Sequence, residues 1–397
     1  MKNRRNFLKK TALIASSSLF VPRFLAAEEN VTDINARGKK LIVLQLSGGN
    51  DGLNTIIPYR NDIYYKLRPY IAIQPNQVIP ITDELGMNPY MSAITPIYEK
   101  GEMAIINNVG YPNPDRSHFR SMDIWHSASD SNEYLKTGWL GRMLDNCCPL
   151  DAGHHFGLEA NEMLSLALKG ARMKGMAVED INRLYRSTKD PFLSNIATLH
   201  HSKGDTVDYL YKTLDSTRKS VAYLKEKADM YTSKVEYPQN NLAHNLRGIA
   251  QLINTGAETK VYFTSIAGFD THALQLNKHN NLLETVCDSL EAFIRDLREG
   301  GKLNSTLILV FSEFGRRAKE NGSKGTDHGA ANNVWLFGGK LKKPGILNEG
   351  PDLEKLDNDD LVFSLDFRSI YATILDDWLK VSSEKVLGRK FEKLSFV

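Results

Sequence analysis

Cysteine is scarce in this sequence, and its few cysteines form no metal-binding pattern. The 397 residues contain three, Cys147, Cys148 and Cys287. None lies in a Cys-x-x-Cys or Cys/His arrangement, which excludes zinc fingers and iron–sulfur sites with the usual ligand spacing. A bond between the adjacent Cys147 and Cys148 would be strained. We therefore predict that all three are structural, since free cysteine is often a small buried apolar side chain.

Long apolar runs and a basic surplus are also missing. The apolar stretch TALIASSSLFV at 11–21 is shorter than the roughly 20 residues that span a bilayer. The formal net charge is +3, but the first 27 residues hold six Lys or Arg and no acid, so the remainder carries −3. A chain of this charge is not expected to bind nucleic acid. Its content of 42% hydrophobic and 24% charged residues is typical of a soluble globular protein.

The amino terminus has the features of an export signal. RRNFLKK at 4–10 closely matches the twin-arginine motif, and the apolar stretch 11–21 and the small pair Ala26–Ala27 follow it. We predict a signal segment over 1–27 and a polar linker over 28–39, with export by the twin-arginine translocase to the periplasm or the cell exterior. Leu25 weakens the cleavage site, so an uncleaved anchor is the alternative.

Apolar runs alternate with helical patterns after the linker. The runs are rich in Val, Ile, Leu and Phe and nearly continuous, as in parallel strands covered on both faces. Helical spacing of apolar residues follows over 281–299 and 367–379. This alternation predicts one α/β domain over 40–397, a doubly wound, mostly parallel sheet flanked by helices, with a helical insertion at about 140–240. The predicted strands are 41–46, 103–109, 260–266, 306–312 and 333–338.

Carboxylate and imidazole side chains follow three of these runs. They stand in the motifs SGGNDGLNT, FDTH and SEFG, and in GTDHG shortly afterwards. Loops at the carboxyl ends of strands converge at one edge of an open α/β sheet. Carboxylates and neutral imidazoles together suit zinc, manganese or magnesium. We therefore predict a metal-dependent hydrolase, and the predicted metal ligands are Asp51, Asp270, His272, Glu313, Asp327 and His328.

The motifs also occur in an order that resembles a known family. LSGGNDGLNTIIPY, VGYPNPDRSHFRSMDIW, GFDTHALQ, FSEFGRR, GTDHG and LDFRSIYATILDDWL follow one another over about residues 40–380. This order resembles the domain-of-unknown-function 1501 family, which is grouped with the alkaline phosphatase-like superfamily of sulfatases, phosphatases and cofactor-independent phosphoglycerate mutases. The resemblance implies an alkaline phosphatase-like fold. It also implies one or two divalent ions (Zn, Mn, Mg or Ca) and a small anionic ester or a sulfated or phosphorylated glycan as substrate.

The resemblance assigns roles residue by residue. In the superfamily, one metal is held by an Asp after the first strand, a nucleophilic hydroxyl or thiol, and a late Asp-His pair. Asp51 matches the first of these, and Ser117, which follows the run at 103–109, suits the nucleophile. The other metal is held by an Asp, a nearby His and a final His, which Asp270, His272 and His328 resemble.

Ser117 also has a purely structural interpretation. Serine is a favoured N-cap residue, and the two roles are compatible because a helix amino terminus favours a nearby anion. A serine hydroxyl is a weak nucleophile until a metal ion lowers its pKa, so the catalytic role requires the metal. His118 and Arg120 are predicted to orient the nucleophile or to bind the anionic ester, since arginine recognises oxyanions through two N–H groups.

Two departures from the superfamily pattern favour an alternative function. Glu313–Phe314 stands where an Asp-His pair is expected, and a phenylalanine cannot ligate metal. Glu313 is equally well explained as a salt-bridge partner of the nearby arginines Arg316 and Arg317. The Asp and His of FDTH are two residues apart rather than four. The alternative is a non-catalytic envelope protein of the same fold that binds a glycan or a protein partner. A serine hydrolase around Ser47 is a weaker third hypothesis, because LSGGNDG lacks the GxSxG pattern.

Overall fold

Apolar runs form the strands of one central sheet, as their composition predicts. The computed structural model describes residues 38–148, 153–191 and 206–397. The strands in these ranges are β1 Lys40–Leu46, β2 Ile56–Ile57, β3 Ile79–Pro80, β4 Gly86–Met87, β5 Met103–Gly110, β6 Gly157–Glu159, β7 Met176–Ala177, β8 Val261–Ile266, β9 Thr306–Phe311, β10 Asn332–Phe337, β11 Gly345–Ile346, β12 Leu356–Asp357, β13 Asp360–Leu361 and β14 Leu365–Asp366.

The central sheet is mixed and mostly parallel. Over the described ranges it has nine strands in the order β11-β5-β10-β9-β1-β8-β6-β7, with β14 beside β5. β1 is parallel to both of its neighbours, and Leu41 pairs with Val261 of β8 and with Leu307 of β9. β10 is antiparallel to β5 and β9. Because β1, β8 and β9 run in the same direction, their carboxyl ends share one edge of the sheet.

Helices cover both faces of this sheet. The α-helices are α1 Asp62–Leu67, α2 Thr95–Glu99, α3 His118–Ser127, α4 Trp139–Cys147, α5 Ile181–Thr188, α6 Thr206–Asp229, α7 Asn241–Asn254, α8 Gln275–Glu299, α9 Phe367–Thr373 and α10 Ser383–Leu387. Alternate residues of β1 point to opposite faces. Leu41 and Val43 belong to the core formed with α3, α4 and α9, and Ile42 and Leu44 to the core formed with α7 and α8. The prediction of a mostly parallel sheet flanked by helices is confirmed.

The segment predicted as a helical insertion also contributes strands. α5, α6 and α7 lie in or next to 140–240, but β6 and β7 of the same segment extend the sheet beyond β8. Strands of two or three residues are too short to produce a periodic sequence signal, so the sequence did not predict them. The predicted signal segment 1–27 and residues 28–37 of the linker lie outside the described residues. Within the described ranges, no helix has the length and apolar character needed to cross a membrane.

Glu159, at the carboxyl end of β6, is a buried carboxyl group with only 2% of its surface exposed. It accepts hydrogen bonds from the backbone N of Ser165 at 2.6 Å and from Nδ2 of Asn161 at 3.2 Å. Burial raises its pKa from 4.5 to about 7. The folded protein therefore retains a proton that the unfolded chain has lost between these two pH values. Its stability should fall as the pH rises through this window, by about 3 kcal/mol in total.

Replacing Glu159 by glutamine should remove this pH dependence. We expect Glu159→Gln to gain about 2–3 kcal/mol relative to the wild type between pH 5 and pH 8, since the amide does not ionise. Urea unfolding of both proteins at the two pH values measures the difference. Glu162→Gln, at an exposed position of the same loop, is the control. A difference between wild type and Glu159→Gln that is the same at both pH values would contradict the prediction.

Candidate metal centre

Glycines allow the loops after β1 and β8 to meet at the carboxyl edge of the sheet. Gly48 has φ +119°, a conformation that glycine adopts without steric cost. A Cβ atom on Gly48 would collide with the backbone N of Asp270. The backbone N of Gly48 also donates to Oε1 of Glu313 at 2.8 Å. The loops that follow β1, β8 and β9 are therefore held in direct contact.

Three imidazoles surround one carboxylate at this edge. Asp270 and His272 follow β8, His118 opens α3, and His328 precedes β10. The distances from Oδ1 of Asp270 are 3.0 Å to Nε2 of His272, 3.3 Å to Nε2 of His328 and 3.6 Å to Nε2 of His118. The Nε2 atoms of His272 and His328 are 2.9 Å apart. We call His118, Asp270, His272 and His328 the histidine cluster.

The second nitrogen of each imidazole faces an oxygen atom. An ionised carboxylate or a backbone carbonyl can only accept a hydrogen bond, so each Nδ1 carries the proton. In the neutral imidazoles, all three Nε2 lone pairs then point into the histidine cluster. This is the arrangement of metal-binding histidines, which almost always donate their other N–H to such an oxygen. The Nδ1–oxygen pairs are His118–Glu313 Oε1 at 2.9 Å, His272–Asp327 Oδ1 at 3.3 Å and His328–Arg116 O at 2.7 Å.

The donor atoms of the cluster fit one divalent cation. Nε2 of His118 is buried and has no hydrogen-bond partner among the described residues, and lone pairs in such proximity repel one another unless a proton or a cation lies between them. Ligands bonded to one tetrahedral ion at about 2.0–2.1 Å lie about 3.3 Å from each other. The separations from Oδ1 of Asp270 to the three Nε2 atoms, and between Nε2 of His272 and Nε2 of His328, are 2.9–3.6 Å and agree with that distance. Candidate ligand atoms of His118, Asp270 and His328 all lie within 4.8 Å of one another.

Arg316 keeps the carboxylate of the cluster ionised. Its guanidinium is fully buried and donates from Nη2 to Oδ1 of Asp270 at 2.7 Å. Partial burial raises the pKa of Asp270, but the hydrogen bond and charge of Arg316, together with the neighbouring imidazoles, lower that pKa to about 2. The carbonyls of Gly49 and Thr326 fix the guanidinium at 2.7 and 2.9 Å. The sequence suggested Arg316 and Arg317 as salt-bridge partners of Glu313, whereas in the structure Arg316 pairs with Asp270.

Phe314 forms an apolar wall of the centre. Its ring centroid lies 4.8 Å from that of His118 and 4.7 Å from that of His328. Gly49 leaves the space for this ring, because a Cβ at that position would overlap the phenylalanine. The residue that stands where a second imidazole ligand was expected therefore packs against two imidazoles of the histidine cluster.

Asp51 forms a buried ion pair with an arginine. Asp51 and Arg68 are both fully buried, and Nη1 of Arg68 lies 2.7 Å from Oδ2 of Asp51. Nε2 of Gln275 donates to the same oxygen. Burial opposes ionisation, yet the charge and hydrogen bond of Arg68 lower the pKa of Asp51 below its ordinary value. Arg68 and Gln275 thus take up Oδ2 of Asp51, and Asp51 does not belong to the group of donor atoms that lie within 4.8 Å of one another.

The other predicted site residues have the following surroundings. Glu313 and Asp327 contact Nδ1 atoms of the cluster, on the side away from the facing Nε2 atoms. Ser117 is exposed at the N-cap position of α3, and its side chain makes no capping hydrogen bond.

Arg120 contacts the loop after α3. Its guanidinium donates to the carbonyls of Asp130, Ser131 and Glu133. It also lies 3.9 Å from the Tyr134 ring centroid. These contacts give Arg120 a structural role in the loop after α3.

The centre is open to solvent on one side. The side chains of Asp270 and His272 are 48% and 45% exposed, whereas Glu313 behind them is fully buried. Phe119 and Leu274, which flank the cluster in sequence, are exposed apolar side chains. Leu274 adopts φ +48°, an uncommon conformation that is often stabilised at functional sites. A ligand can therefore approach Asp270 and His272 without any movement of the core.

Comparisons with solved structures find similar architectures. The chain is similar to the PsFucS1 sulfatase from Pseudoalteromonas sp. (12% identity, 97% of this chain and 74% of that one, TM-score 0.40). It is similar to a protein in the alkaline phosphatase superfamily from Vibrio parahaemolyticus (11% identity, 97% and 78%, TM-score 0.37). It is also similar to the C-terminal periplasmic domain of EcEptC from Escherichia coli in complex with Zn (9% identity, 80% and 77%, TM-score 0.39). At these values the likeness is limited to the general architecture.

Sequence comparison identifies the family. No curated protein matches the chain. A family model described as "Protein of unknown function (DUF1501)" matches residues 85–386, a range that begins before β5 and includes His118, Asp270, His272 and His328. The match covers more than half of the 397 residues, and the chain therefore belongs to the DUF1501 family.

Proposed function

We propose that the chain is an exported metal-dependent hydrolase of phosphate or sulfate esters, with one divalent ion held by the histidine cluster. One observation carries the proposal: three Nε2 atoms face Oδ1 of Asp270 at 3.0–3.6 Å, while each Nδ1 is bonded to an oxygen. The ester substrates, including sulfated or phosphorylated glycans, follow from the motif resemblance. Export by the twin-arginine route to the periplasm or cell exterior follows from RRNFLKK.

The donor set favours particular ions. Imidazole nitrogens suit zinc, iron, nickel or copper, whereas magnesium and calcium prefer oxygen ligands. Zinc, and after it manganese, is therefore preferred among the four metals predicted from the sequence. One ion is proposed rather than two, because Arg68 holds Asp51 and Glu313 is bonded to His118. When bound, the ion would supply a Lewis acid that polarises the ester.

The residues of the chain would prepare the centre and the nucleophile. Glu313 and Asp327 fix the tautomers of His118 and His272, which keeps their Nε2 atoms available. Ser117 directly precedes His118 and presents an exposed hydroxyl at the amino end of α3. The first N–H groups of a helix lack intrahelical partners and favour an anionic group there. Ser117 is accordingly the proposed attacking group.

Metal content and turnover test the proposal directly. The purified protein should contain about one zinc or manganese ion per chain and should hydrolyse an aryl phosphate or an aryl sulfate. Chelation should abolish the hydrolysis, and readdition of the ion should restore it. A protein that has neither bound ion nor turnover would refute the proposal. Bound ion without turnover, together with capture of a glycan or protein partner, would instead favour the non-catalytic envelope protein.

Ser117→Ala should distinguish loss of the attacking group from loss of the bound metal ion. We expect kcat/KM for the aryl ester to fall by about 100-fold or more, while the ion content stays at the wild-type value because the cluster is intact. Metal analysis and steady-state kinetics on the same preparation measure both quantities. Ser92→Ala, at an exposed position of another segment, is the control. An unchanged rate in Ser117→Ala would show that another group or a water molecule attacks.

Glu313→Gln should lower the affinity for the metal ion without removing a ligand. The amide is similar in size to the carboxylate, but it is a neutral and weaker acceptor for Nδ1 of His118. Loss of such a supporting carboxylate typically lowers metal affinity by about 10–100-fold, and we expect that range for the Kd measured by competition with a chelating dye. Glu284→Gln, exposed on α8, should retain the wild-type Kd. Complete loss of the ion in Glu313→Gln would indicate that Glu313 is itself a ligand.

A further inference from the structure

The edge of the sheet opposite to the histidine cluster has a group of lysines. Lys39 lies directly before β1, at its amino end. β10 is antiparallel to β9, which is itself parallel to β1, so the carboxyl end of β10 reaches this same edge. The segment after β10 has the sequence GKLKKPG. Lys380 follows Trp378, and Nζ of Lys39 lies 3.9 Å from the Trp378 ring centroid. We call Lys39, Lys340, Lys342, Lys343 and Lys380 the lysine patch.

The charges of the lysine patch are not neutralised by neighbouring acids. None of the five lysines forms an ion pair with a described residue. All of them except Lys39 are exposed. Burial, followed by the charges of Lys380, Lys340 and Lys342, lowers the pKa of Lys39, which is consistent with a local surplus of positive charge. Residues 28–397, the patch included, have a net charge of −3, so the patch contrasts with the overall charge.

The chain that precedes the domain enters at the lysine patch. Gly38 is the first described residue and adjoins Lys39. The 37 residues before it contain RRNFLKK and the apolar stretch at 11–21, a combination that is directed to membranes. Gly38, where this segment joins the described residues, therefore lies beside the lysine patch, whereas the histidine cluster lies at the opposite edge of the sheet.

We propose that the lysine patch binds an anionic phospholipid surface, so that the histidine cluster faces away from the membrane. Clustered lysines are attracted to anionic headgroups, with a contribution of about fivefold in affinity for each lysine close to the surface. The interaction is electrostatic and should weaken with salt, since charges beyond the Debye length are screened. The inference does not depend on catalysis or on a bound metal.

Vesicle cosedimentation of the full chain tests this proposal. The vesicles consist of phosphatidylcholine with and without phosphatidylglycerol, at low and high salt. We compare the wild type with the triple variant Lys340→Glu/Lys342→Glu/Lys343→Glu. The matched control is Lys66→Glu/Lys278→Glu/Lys319→Glu, three exposed lysines outside the patch. The patch variant should bind the anionic vesicles about 100-fold more weakly at low salt, whereas the control should lose no more than about fivefold. The amino-terminal segment is the same in all three proteins.

Several outcomes would overturn the proposal. Equal losses in both triple variants would mean that net charge matters and the patch does not. Wild-type binding by the patch variant would assign membrane affinity to the amino-terminal segment alone. Binding that is independent of phosphatidylglycerol would exclude an anionic lipid surface. Retention on heparin without vesicle binding would also exclude it and would favour a glycan.

If the glutamate variant fails to fold, the corresponding glutamine variants and their control are compared in the same way. Ion content, measured in parallel, separates failure of this proposal from failure of the metal proposal.

Discussion

Replacing His328 by alanine is expected to abolish metal binding by the histidine cluster and, with it, ester hydrolysis. Nε2 of His328 lies 2.9 Å from that of His272 and 3.3 Å from Oδ1 of Asp270, so it contributes one of four candidate ligands. Its loss leaves two imidazoles and a carboxylate that Arg316 already binds. We expect the ion content to fall to below about one tenth of the wild-type value and kcat/KM to fall by about 10³-fold or more.

The matched control for this variant is His244→Ala. His244 is exposed on α7 and is not a member of the histidine cluster, so its replacement should change neither quantity. Metal analysis after gel filtration and kinetics on an aryl ester measure both. A His328→Ala protein that keeps its full ion content would exclude the histidine cluster as the metal centre. Addition of imidazole to His328→Ala is a second measurement, because a partial return of bound ion would indicate a missing ligand and not a misfolded chain.

The sequence predicted the fold well where apolar runs are long and form strands that are covered on both faces. The run at 41–46 becomes β1, Lys40–Leu46, with all seven residues buried. A strand between two others and beneath helices has no polar face, so composition alone reveals it. β6 and β7 escaped prediction because their pairing with β8 and with each other depends on neighbours distant in sequence. Short strands of this kind are specified by tertiary contacts and not by their own residues.

The sequence could predict which residues meet at the carboxyl edge, but not which of their atoms face one another. Asp270, His272 and His328 come together because each lies in a loop at the carboxyl ends of parallel strands. His118 joins them as a candidate ligand, although the sequence suggested that it would orient the nucleophile or bind the substrate anion. Glu313 contacts Nδ1 of His118, so we propose that it supports this imidazole, whereas the sequence suggested a metal ligand or an arginine partner. Carboxylates in these two roles have the same sequence signature, and only interatomic distances distinguish them.

The pairing of Asp51 with Arg68 was not predictable from the sequence. The two residues are 17 positions apart, and Arg68 follows α1 in a segment without a recognisable motif. Two buried side chains of opposite charge stabilise each other, but removal of one leaves the other uncompensated. This asymmetry makes the pair experimentally accessible, and it also distinguishes a structural Asp51 from one that binds metal.

Arg68→Met should destabilise the protein by about 3–5 kcal/mol, because the Asp51 carboxylate would remain buried and without its counter-charge. The change also leaves the carbonyls of Ala318 and Arg317 without donors, since Nε and Nη2 of Arg68 bond them at 2.8 and 2.9 Å. Urea unfolding measures the free energy. Arg60→Met, at an exposed position nearby, should change it by less than about 0.5 kcal/mol.

The double variant Arg68→Met/Asp51→Asn then separates the two interpretations of Asp51. If the aspartate serves only as the partner of Arg68, neutralising it should recover about half or more of the lost stability, and the ion content should equal that of the wild type. If Asp51 were a metal ligand, as the motif resemblance implied, the double variant and Asp51→Asn alone would both lose bound ion. The structure favours the first result, since both oxygens of Asp51 already accept hydrogen bonds from Arg68, Gln275 and the backbone N of Asn54. Full recovery of stability with loss of metal would restore Asp51 to the ligand set and would require a second ion next to the histidine cluster.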